Sequence, residues 1–264
     1  MTNVAVIGAA GRMGKALIGL IHAAEDLALS EAIVSPDSEA NGEDAGLLAG
    51  LGPIGVLCAS RLTGNCDVAV EFSTPQGLEA ALEACRGATV PLVSGTTGLG
   101  DRQHQALDAA AAEIPVLWAA NMSLGIQLCY QLVAQASRAL SGKADIEVIE
   151  AHHRHKQDSP SGTALELARI AADARNVHFP DNVVRGRSGT GLERGPDEIG
   201  VSAVRAGDIV GEHTVLFALD GERLEIRHAA HDRTVFARGA LAAARYLQGK
   251  APGRYRLADL LDRG

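Results

Sequence analysis

The first 23 residues constrain the fold more than any other part of the chain. Residues 4–7 are Val-Ala-Val-Ile, a pattern typical of a buried strand, and Gly-Ala-Ala-Gly-Arg-Met-Gly follows at residues 8–14. Apolar spacing over residues 12–23 then predicts a helix. In this context a glycine turn can hold a dinucleotide, because its backbone can approach a pyrophosphate and the helix N-terminus faces the phosphate charge. A tight packing turn is the alternative, since the spacing is G-x-x-G-x-x-G rather than G-x-G-x-x-G.

Strands and helices alternate through the first half of the chain, which predicts a parallel sheet with helices on both faces. Three of the strands run into small or polar residues, and ligands bind at the carboxyl ends of such strands. We therefore expect the turns at residues 8–14, 94–98 and 119–123 to converge on one crevice. The predicted strands are 4–7, 27–34, 67–72, 90–93 and 114–118, the predicted helices are 12–23, 78–84 and 101–112, and residues 35–55 are predicted to be irregular.

The second half changes character and predicts an α+β domain with a mainly antiparallel or mixed open sheet. Three short strands joined by Gly-Asp-type turns favour antiparallel pairing. The overall prediction is an α/β fold. A Rossmann-like dinucleotide-binding domain spans residues 1–123 and is completed by 233–264, and a substrate-binding and oligomerisation domain spans 124–232. The elements of the second half are helices at 124–140, 161–174 and 234–247, strands at 145–151, 199–205, 212–219 and 223–228, and a Gly- and Arg-rich loop at 183–200.

Charge and hydropathy exclude several classes of partner. The net charge is −8 and there is no long basic run, which argues against nucleic acid and anionic membrane surfaces. The N-terminus has neither the basic nor the apolar region of a signal peptide, and no segment has the apolar length of a membrane span, so we expect a cytoplasmic protein. The four scattered cysteines, Cys58, Cys66, Cys85 and Cys129, indicate buried thiols in a reducing compartment.

Residues 150–163 contain an unusual cluster of ionisable side chains. Three histidines, one arginine and one lysine occupy positions 152–156. A metal site, a solvated charged loop and a catalytic anion-binding site are the competing interpretations. His152 and His153 are adjacent, so their side chains diverge on an extended chain, and Arg154 and Lys156 would repel a divalent cation. We therefore predict no metal.

The residues after the cluster favour the catalytic interpretation. Ser161, Gly162 and Thr163 are predicted to begin a helix, whose free N–H groups and neighbouring hydroxyls can hold a carboxylate. Histidine suits acid catalysis near neutral pH, and Lys156 can bind a second carboxylate or donate a proton. The sequence thus predicts a site for a small anionic substrate that must be held and protonated.

The cofactor preference stays open. The residue that distinguishes NAD from NADP is expected about 20 positions after the glycine turn, at the end of the second strand. Val34 and Ser35 occupy this place, and Asp37 lies beyond a proline. Ser35 can donate to a ribose hydroxyl or a phosphate, whereas Arg12 and Lys15 can meet a 2′-phosphate. The cofactor is therefore predicted as NADH, NADPH or both.

Five motifs, in order and over most of the chain, resemble the 4-hydroxy-tetrahydrodipicolinate reductase (dihydrodipicolinate reductase) family. The most specific is the His-His-x-x-x-Lys element followed by Ser-Gly-Thr. Many family members carry an acidic and then a basic residue at the place of Val34 and Ser35, and this chain departs from that pattern. The motifs are the glycine turn at 8–14, Gly-Thr-Thr at 95–97, Ala-Ala-Asn-Met-Ser at 119–123, Glu-Ala-His-His-Arg-His-Lys at 150–156 with Ser-Gly-Thr at 161–163, and Val-Arg-Ala-Gly-Asp-Ile-Val-Gly-Glu-His at 204–213.

This resemblance implies NAD(P)H-dependent reduction of a cyclic dicarboxylate in the diaminopimelate route to lysine, by a cytoplasmic homotetramer built through the second domain's sheet. It implies that His152 is the proton donor and acceptor and that Lys156 is a proton donor. There are two alternatives: another two-domain NAD(P)-dependent amino-acid or semialdehyde dehydrogenase, and a non-catalytic dinucleotide sensor. The remaining predicted site residues are His153, Ser161, Gly162 and Thr163 for substrate, and Gly8, Ala9, Ala10, Gly11, Arg12, Met13, Ser35, Gly95, Thr96, Thr97, Ala119, Ala120, Asn121 and Met122 for cofactor.

Overall fold

The chain forms two compact units in the computed structural model, which describes residues 1–191 and 193–262. The first unit contains Met1–Leu124 and the chain from Arg233 onward, and the second contains Gly125–Asp232. That the first unit binds a dinucleotide and the second a substrate stays a prediction. In chain order the elements are β1 (Thr2–Ile7), α1 (Arg12–His22), β2 (Leu27–Ile33), α2 (Ala45–Leu48), β3 (Cys58–Ala59), β4 (Val68–Glu71), α3 (Pro75–Ala88), β5 (Leu92–Ser94), α4 (Asp101–Ala111), β6 (Pro115–Trp118), α5 (Leu124–Ala139), β7 (Asp145–His152), α6 (Gly162–Arg175), β8 (Val183–Arg185), β9 (Ile199–Arg205), β10 (Gly211–Leu219), β11 (Glu222–Ala230), α7 (Thr234–Leu247), β12 (Gly253–Tyr255) and a short 3₁₀ helix (Leu257–Leu260).

The first unit is built on a seven-stranded parallel sheet with the order β12-β6-β5-β4-β1-β2-β3. Alternate residues of β1 point to opposite faces: Val4 and Val6 join an apolar cluster with Leu17 of α1, whereas Ala5 joins one with Leu78 of α3. Strands buried on both faces are almost continuously apolar, as β1 is. The predicted Rossmann-like architecture is confirmed.

The sheet topology places several predicted site segments at one edge. The carboxyl ends of parallel strands share an edge, and β1, β4, β5 and β6 are neighbours in that order. Helix α7 packs close to the same region, because a Cβ at Gly239 would lie 1.7 Å from the Met122 carbonyl oxygen. The turns after β1, β5 and β6 therefore lie along one side of this unit.

The second unit contains a mixed sheet with the order β11-β10-β7-β9-β8. The predicted antiparallel pairing is right for β10 with β11 but wrong for β9 with β10, because β7 lies between them. Strand β9 pairs parallel with β7 after the crossover through α6. Part of the predicted loop at 183–200 forms β8, which pairs parallel with β9. Among the described residues, no helix has the length and apolar character needed to cross a membrane.

The alternation of β7 determines which polar residues enter the second unit. Ile146, Val148, Glu150 and His152 are buried, whereas Ile149 between them is exposed. Because side chains alternate along a strand, Glu150 and His152 lie on the same face as the apolar residues. This face therefore brings two ionisable side chains into the interior of the second unit.

Candidate active site

Glu150 is a fully buried carboxylate at the centre of a polar network in the second unit. Its two oxygens accept hydrogen bonds from both terminal nitrogens of Arg205, at 2.7 Å each, and from the Ser161 backbone N–H at 2.9 Å. Burial alone would raise the pKa of Glu150, but the hydrogen bonds from Arg205, His152 and Ser161 outweigh it and hold the pKa below its usual value. Glu150 is therefore a carboxylate at neutral pH.

His152 is held by this carboxylate in one orientation. Its Nδ1 lies 2.6 Å from Glu150 Oε2. An ionised carboxylate only accepts hydrogen bonds, so Nδ1 carries a proton and Nε2 is the nitrogen that can gain or lose one. A Cβ at Gly211 would lie 3.0 Å from Nε2, so the glycine leaves room beside this atom. Nδ1 is thus committed to Glu150, and proton exchange is left to Nε2.

The pKa of His152 is set by opposing influences. Burial lowers it, the Glu150 carboxylate raises it, and the charges of Lys156 and Arg205 lower it further. The net result is a pKa below the ordinary histidine value. A proton taken up on Nε2 is therefore held weakly and is readily given to a group that develops negative charge.

Ser161 connects the network to the start of α6. Its hydroxyl accepts a hydrogen bond from the Ala164 N–H at 3.2 Å, which caps the helix, and lies 3.1 Å from His213 Nε2. The His213 ring stands edge-on to His152 with centroids 5.2 Å apart, and burial lowers the pKa of His213 to about 3. His213 is therefore a neutral ring at physiological pH.

The other predicted substrate residues lie around this network. Lys156 Nζ is 2.8 Å from Asp158 Oδ1, so the ammonium is held in one place by a largely exposed carboxylate. His153 is half-buried, Gly162 is exposed at the start of α6, and Thr163 is half-buried beside it. All of them lie in the second unit, and Gly162 and Thr163 form the first turn of α6. The Ser161 side chain is buried, and its hydroxyl contacts Ala164 and His213. Their binding roles stay predictions.

The predicted glycine turn has the close packing that a dinucleotide needs. Gly8 has φ of +84°, and a Cβ there would lie 2.5 Å from the Phe72 carbonyl oxygen. A Cβ at Gly14 would lie 2.2 Å from the Gly8 carbonyl oxygen, so both positions require glycine. Gly11 is the N-cap of α1 and provides no side-chain cap. The backbone at this helix start is open to a phosphate, so the residues fit a dinucleotide.

The remaining predicted cofactor residues lie in the same unit. Ala9 is buried within the glycine turn, Ala10 and Met13 are half-buried, and Arg12 is exposed, as is Ser35 just after β2. The other two turns follow β5 and β6, which pair side by side. The residues of these turns are Gly95, Thr96 and Thr97 after β5, and Ala119, Ala120, Asn121 and Met122 after β6.

The site also contains three residues that were not predicted from the sequence: Glu150, Arg205 and His213. Glu150 shares the two-residue spacing of Ile146 and Val148, and this was the available signal that it faces inward. Arg205 and His213 come from β9 and β10, which flank β7 in the sheet, so only the sheet order brings them to Glu150. All four cysteines are unsuited to thiolate chemistry, because burial raises the pKa of each thiol.

Comparison with known proteins gives a consistent result over the whole chain. Residues 2–122 match the family model described as dihydrodipicolinate reductase, N-terminus, and residues 125–261 match the model of the C-terminus. The 4-hydroxy-tetrahydrodipicolinate reductase of Alkalilimnicola ehrlichii is 48% identical over 98% of both chains. The reductase of the same name from Pseudomonas fluorescens is 47% identical over 99% of both chains.

Solved structures show the same fold. A dipicolinate-bound dihydrodipicolinate reductase from Paenisporosarcina sp. TG-14 superposes with a TM-score of 0.76 at 23% identity, over 98% of this chain and 99% of that one. An amine dehydrogenase from Mycobacterium smegmatis has a TM-score of 0.61 at 13% identity, over 97% of this chain and 95% of that one. At these identities the structural likeness concerns the architecture alone.

Proposed function

Because this chain belongs to the dihydrodipicolinate reductase family, we propose that the buried Glu150–His152 pair supplies the proton for the reaction that the family catalyses. The chain is an NAD(P)H-dependent oxidoreductase that converts 4-hydroxy-tetrahydrodipicolinate to tetrahydrodipicolinate in diaminopimelate and lysine biosynthesis. The product lacks the 4-hydroxyl of the substrate, so the substrate gains a hydride and a proton and loses water. The cofactor supplies the hydride.

His152 is the proposed proton donor. Negative charge that develops on the substrate when a hydride arrives must be met by a proton, and a positioned acid lowers the barrier to that transfer. The observation that carries the proposal is the 2.6 Å contact between Glu150 and His152 Nδ1, which leaves Nε2 to exchange the proton. The carboxylate also stabilises the imidazolium before it releases the proton.

Lys156 and the start of α6 are the proposed sites for the two substrate carboxylates. Lys156 is a fixed ammonium through its 2.8 Å contact with Asp158, and it can also donate a proton. The N–H groups at the start of α6, with Gly162 and Thr163, offer the second anion site. The half-buried His153, next to His152, is also proposed to contact the substrate. Ser161 holds the start of α6 in place through its cap on the Ala164 N–H.

The first unit is proposed to hold NADH or NADPH. The pyrophosphate would lie at the backbone of the glycine turn, and Arg12 or Ser35 would meet the ribose or its 2′-phosphate. The Gly95–Thr97 and Ala119–Met122 turns would line the rest of the cofactor. Val34 and Ser35 carry neither of the usual discriminating charges, so both cofactors remain candidates.

We further propose a cytoplasmic homotetramer assembled through the second sheet. Ile149 on β7 is 41% exposed and Val204 on β9 is 46% exposed, and the register places both on the face opposite Val148 and Phe217. Large apolar side chains exposed on a sheet face are suited to contact between subunits. Light scattering on the purified chain would give the mass of a tetramer, and a monomer mass would contradict this part.

The function is tested by steady-state oxidation of NADH and NADPH, followed separately at 340 nm. The preceding synthase would generate the substrate from pyruvate and aspartate semialdehyde in the same cuvette. We expect oxidation that depends on this substrate, and the ratio of kcat/KM values gives the cofactor preference. No substrate-dependent oxidation of either cofactor would refute the proposed function.

A further inference from the structure

A second buried carboxylate, Glu71, lies in the first unit and has no part in the mechanism described above. It ends β4 and is completely buried. Within the described residues, the partners of this carboxylate are neutral: the hydroxyls of Ser73, Ser94 and Thr96 and the Ser73 backbone N–H. A buried carboxylate without a cation costs free energy unless hydrogen bonds satisfy it, and here three hydroxyls and one backbone N–H do so.

The partners of Glu71 come from the ends of neighbouring strands. Ser94 Oγ, at the end of β5, donates to Glu71 at 2.6 Å, and Thr96 Oγ1, in the turn after β5, donates at 2.7 Å. The Thr96 carbonyl in turn accepts the indole N–H of Trp118, at the end of β6, at 2.8 Å. One carboxylate therefore fixes the turn at residues 95–97, which is proposed to face the cofactor.

Glu71 also determines the direction of the surrounding hydrogen bonds. A hydroxyl has one proton, and a carboxylate can only accept, so the three hydroxyls point their protons inward. Thr96 Oγ1 additionally accepts the Ser73 N–H at 3.0 Å, which agrees with this direction. The Ser73 hydroxyl also has a longer contact with the Thr74 carbonyl, at 3.3 Å, and this contact too uses its proton within the turn.

Ser73 lies where the turns of the first unit meet. Ser73 is exposed, and its Cβ lies 3.7 Å from the position that a Cβ on Gly8 would take. A Cβ on Gly95 would lie 2.1 Å from the ring of Phe72, the residue before Ser73. The Ser73 side chain therefore borders the glycine turn, and its hydroxyl can offer lone pairs to a group that binds beside this turn.

We infer that Glu71 is a positioning residue for the cofactor, which makes the Ser73 hydroxyl a hydrogen-bond acceptor and holds the turn at residues 95–97. This inference rests on the proposed function, and it specifies which kind of cofactor group contacts Ser73. The cofactor group that meets Ser73 must be a donor, such as a ribose hydroxyl or a carboxamide N–H. A phosphate, which only accepts, does not fit this position.

The test is Glu71→Gln, which keeps the shape but replaces one acceptor oxygen with an N–H₂ group. The N–H₂ group cannot accept a hydrogen bond, so one of the three hydroxyls must point its proton away from residue 71. We expect the Kd for the preferred cofactor to rise about tenfold, the loss of one hydrogen bond of ordinary strength. At saturating cofactor we expect kcat to stay within about twofold, because the reacting residues are untouched. Trp118 is the single tryptophan, so energy transfer from it to NADH or NADPH measures binding without turnover.

Glu31→Gln is the matched control. Glu31 lies on β2 of the same sheet, is 9% exposed and accepts hydrogen bonds from the Thr63 N–H and hydroxyl and the Asn65 N–H, at 2.7, 3.0 and 2.8 Å. Both variants should unfold at a lower temperature than the wild type, but Glu31→Gln should bind the cofactor with unchanged Kd. A merely structural role for Glu71 would instead give the two variants the same Kd.

Ser73→Ala is the second variant, and it decides the question if Glu71→Gln does not fold. The exposed hydroxyl can be removed without a cavity, and we expect the Kd to rise several-fold. Wild-type Kd values in Ser73→Ala, or in a folded Glu71→Gln, would overturn the inference while leaving the proposed function intact. A wild-type chain that binds neither NADH nor NADPH would instead refute the proposed function and the inference with it.

Discussion

Replacement of Glu150 by Gln is the perturbation whose effects follow most fully from the structure. The carboxylate accepts two hydrogen bonds from Arg205 and one each from His152 and Ser161. A glutamine would direct its N–H₂ group at donors and leave the Arg205 charge without its partner. Removing one member of a fully buried pair costs about 3 to 5 kcal/mol. The Arg205 side chain is 19% exposed, so water recovers part of this, and we expect a loss of about 2 to 4 kcal/mol.

The same substitution should slow the reaction. Without the carboxylate, His152 is no longer held with Nδ1 protonated, and we expect kcat to fall on the order of 10²-fold, as when general acid catalysis is lost. The pH dependence should also move. His152 donates only when protonated, so activity is present below its pKa and is lost as the pH rises through it. Glu150 raises the pKa of His152, and its removal should shift this loss of activity to lower pH.

The assay is the 340 nm oxidation of the preferred cofactor from pH 5 to pH 9, together with thermal unfolding. A loss of the stated size should lower the Tm by about 4 to 16 °C. Glu147→Gln is the control, because Glu147 lies on the same strand and pairs with Arg194 on the opposite face. Its pH profile should match the wild type. A Glu150→Gln variant that keeps kcat within about twofold and the wild-type pH profile would refute this role of Glu150.

Two other substitutions test the anion site and the cofactor turn. Lys156→Ala should raise the KM for the substrate about tenfold or more and also lower kcat. Lys143→Ala, at an exposed lysine outside the site, should change neither constant. Equal KM values for the two variants in steady-state kinetics would count against a carboxylate contact at Lys156. Gly95→Ala should weaken cofactor binding on the order of tenfold, because its Cβ would lie 2.1 Å from the Phe72 ring and the turn must shift. The Cβ of Gly87→Ala in α3 would meet no atom within 4 Å, so this control should bind the cofactor with the wild-type Kd. A wild-type Kd for Gly95→Ala in titration calorimetry would contradict this prediction.

The sequence predicted the sheet of the first unit well because its signals are local. The five predicted strands are short apolar runs that end in turn residues, and β1 with its glycine turn is the clearest example. The short edge strands β3 and β12 were not predicted, because two or three residues give no such pattern. Parallel order then follows from the alternation of strands and helices. The existence of β9 and β10 was equally clear from the sequence, since Gly-Asp-type turns mark their ends.

Pairing and burial of the second unit were harder because they depend on contacts distant in sequence. A short connection between β9 and β10 favoured a hairpin, but the earlier β7 lies between them. The sequence did not predict a buried Glu150, since a lone carboxylate is rarely buried. Its two-residue spacing from Val148 was a weak inward signal, but its partner Arg205 lies 55 residues later in the chain and no local pattern reveals that pair.

The central claim is that His152, and no other histidine of the cluster at residues 152–156, donates the proton. Its most direct test compares kcat and KM for His152→Gln and His155→Gln, since His155 is exposed in the same cluster. We predict that His152→Gln loses on the order of 10²-fold in kcat with little change in the KM for the substrate, and that His155→Gln retains wild-type values. Wild-type kcat in His152→Gln, or an equal loss in both variants, would contradict the account.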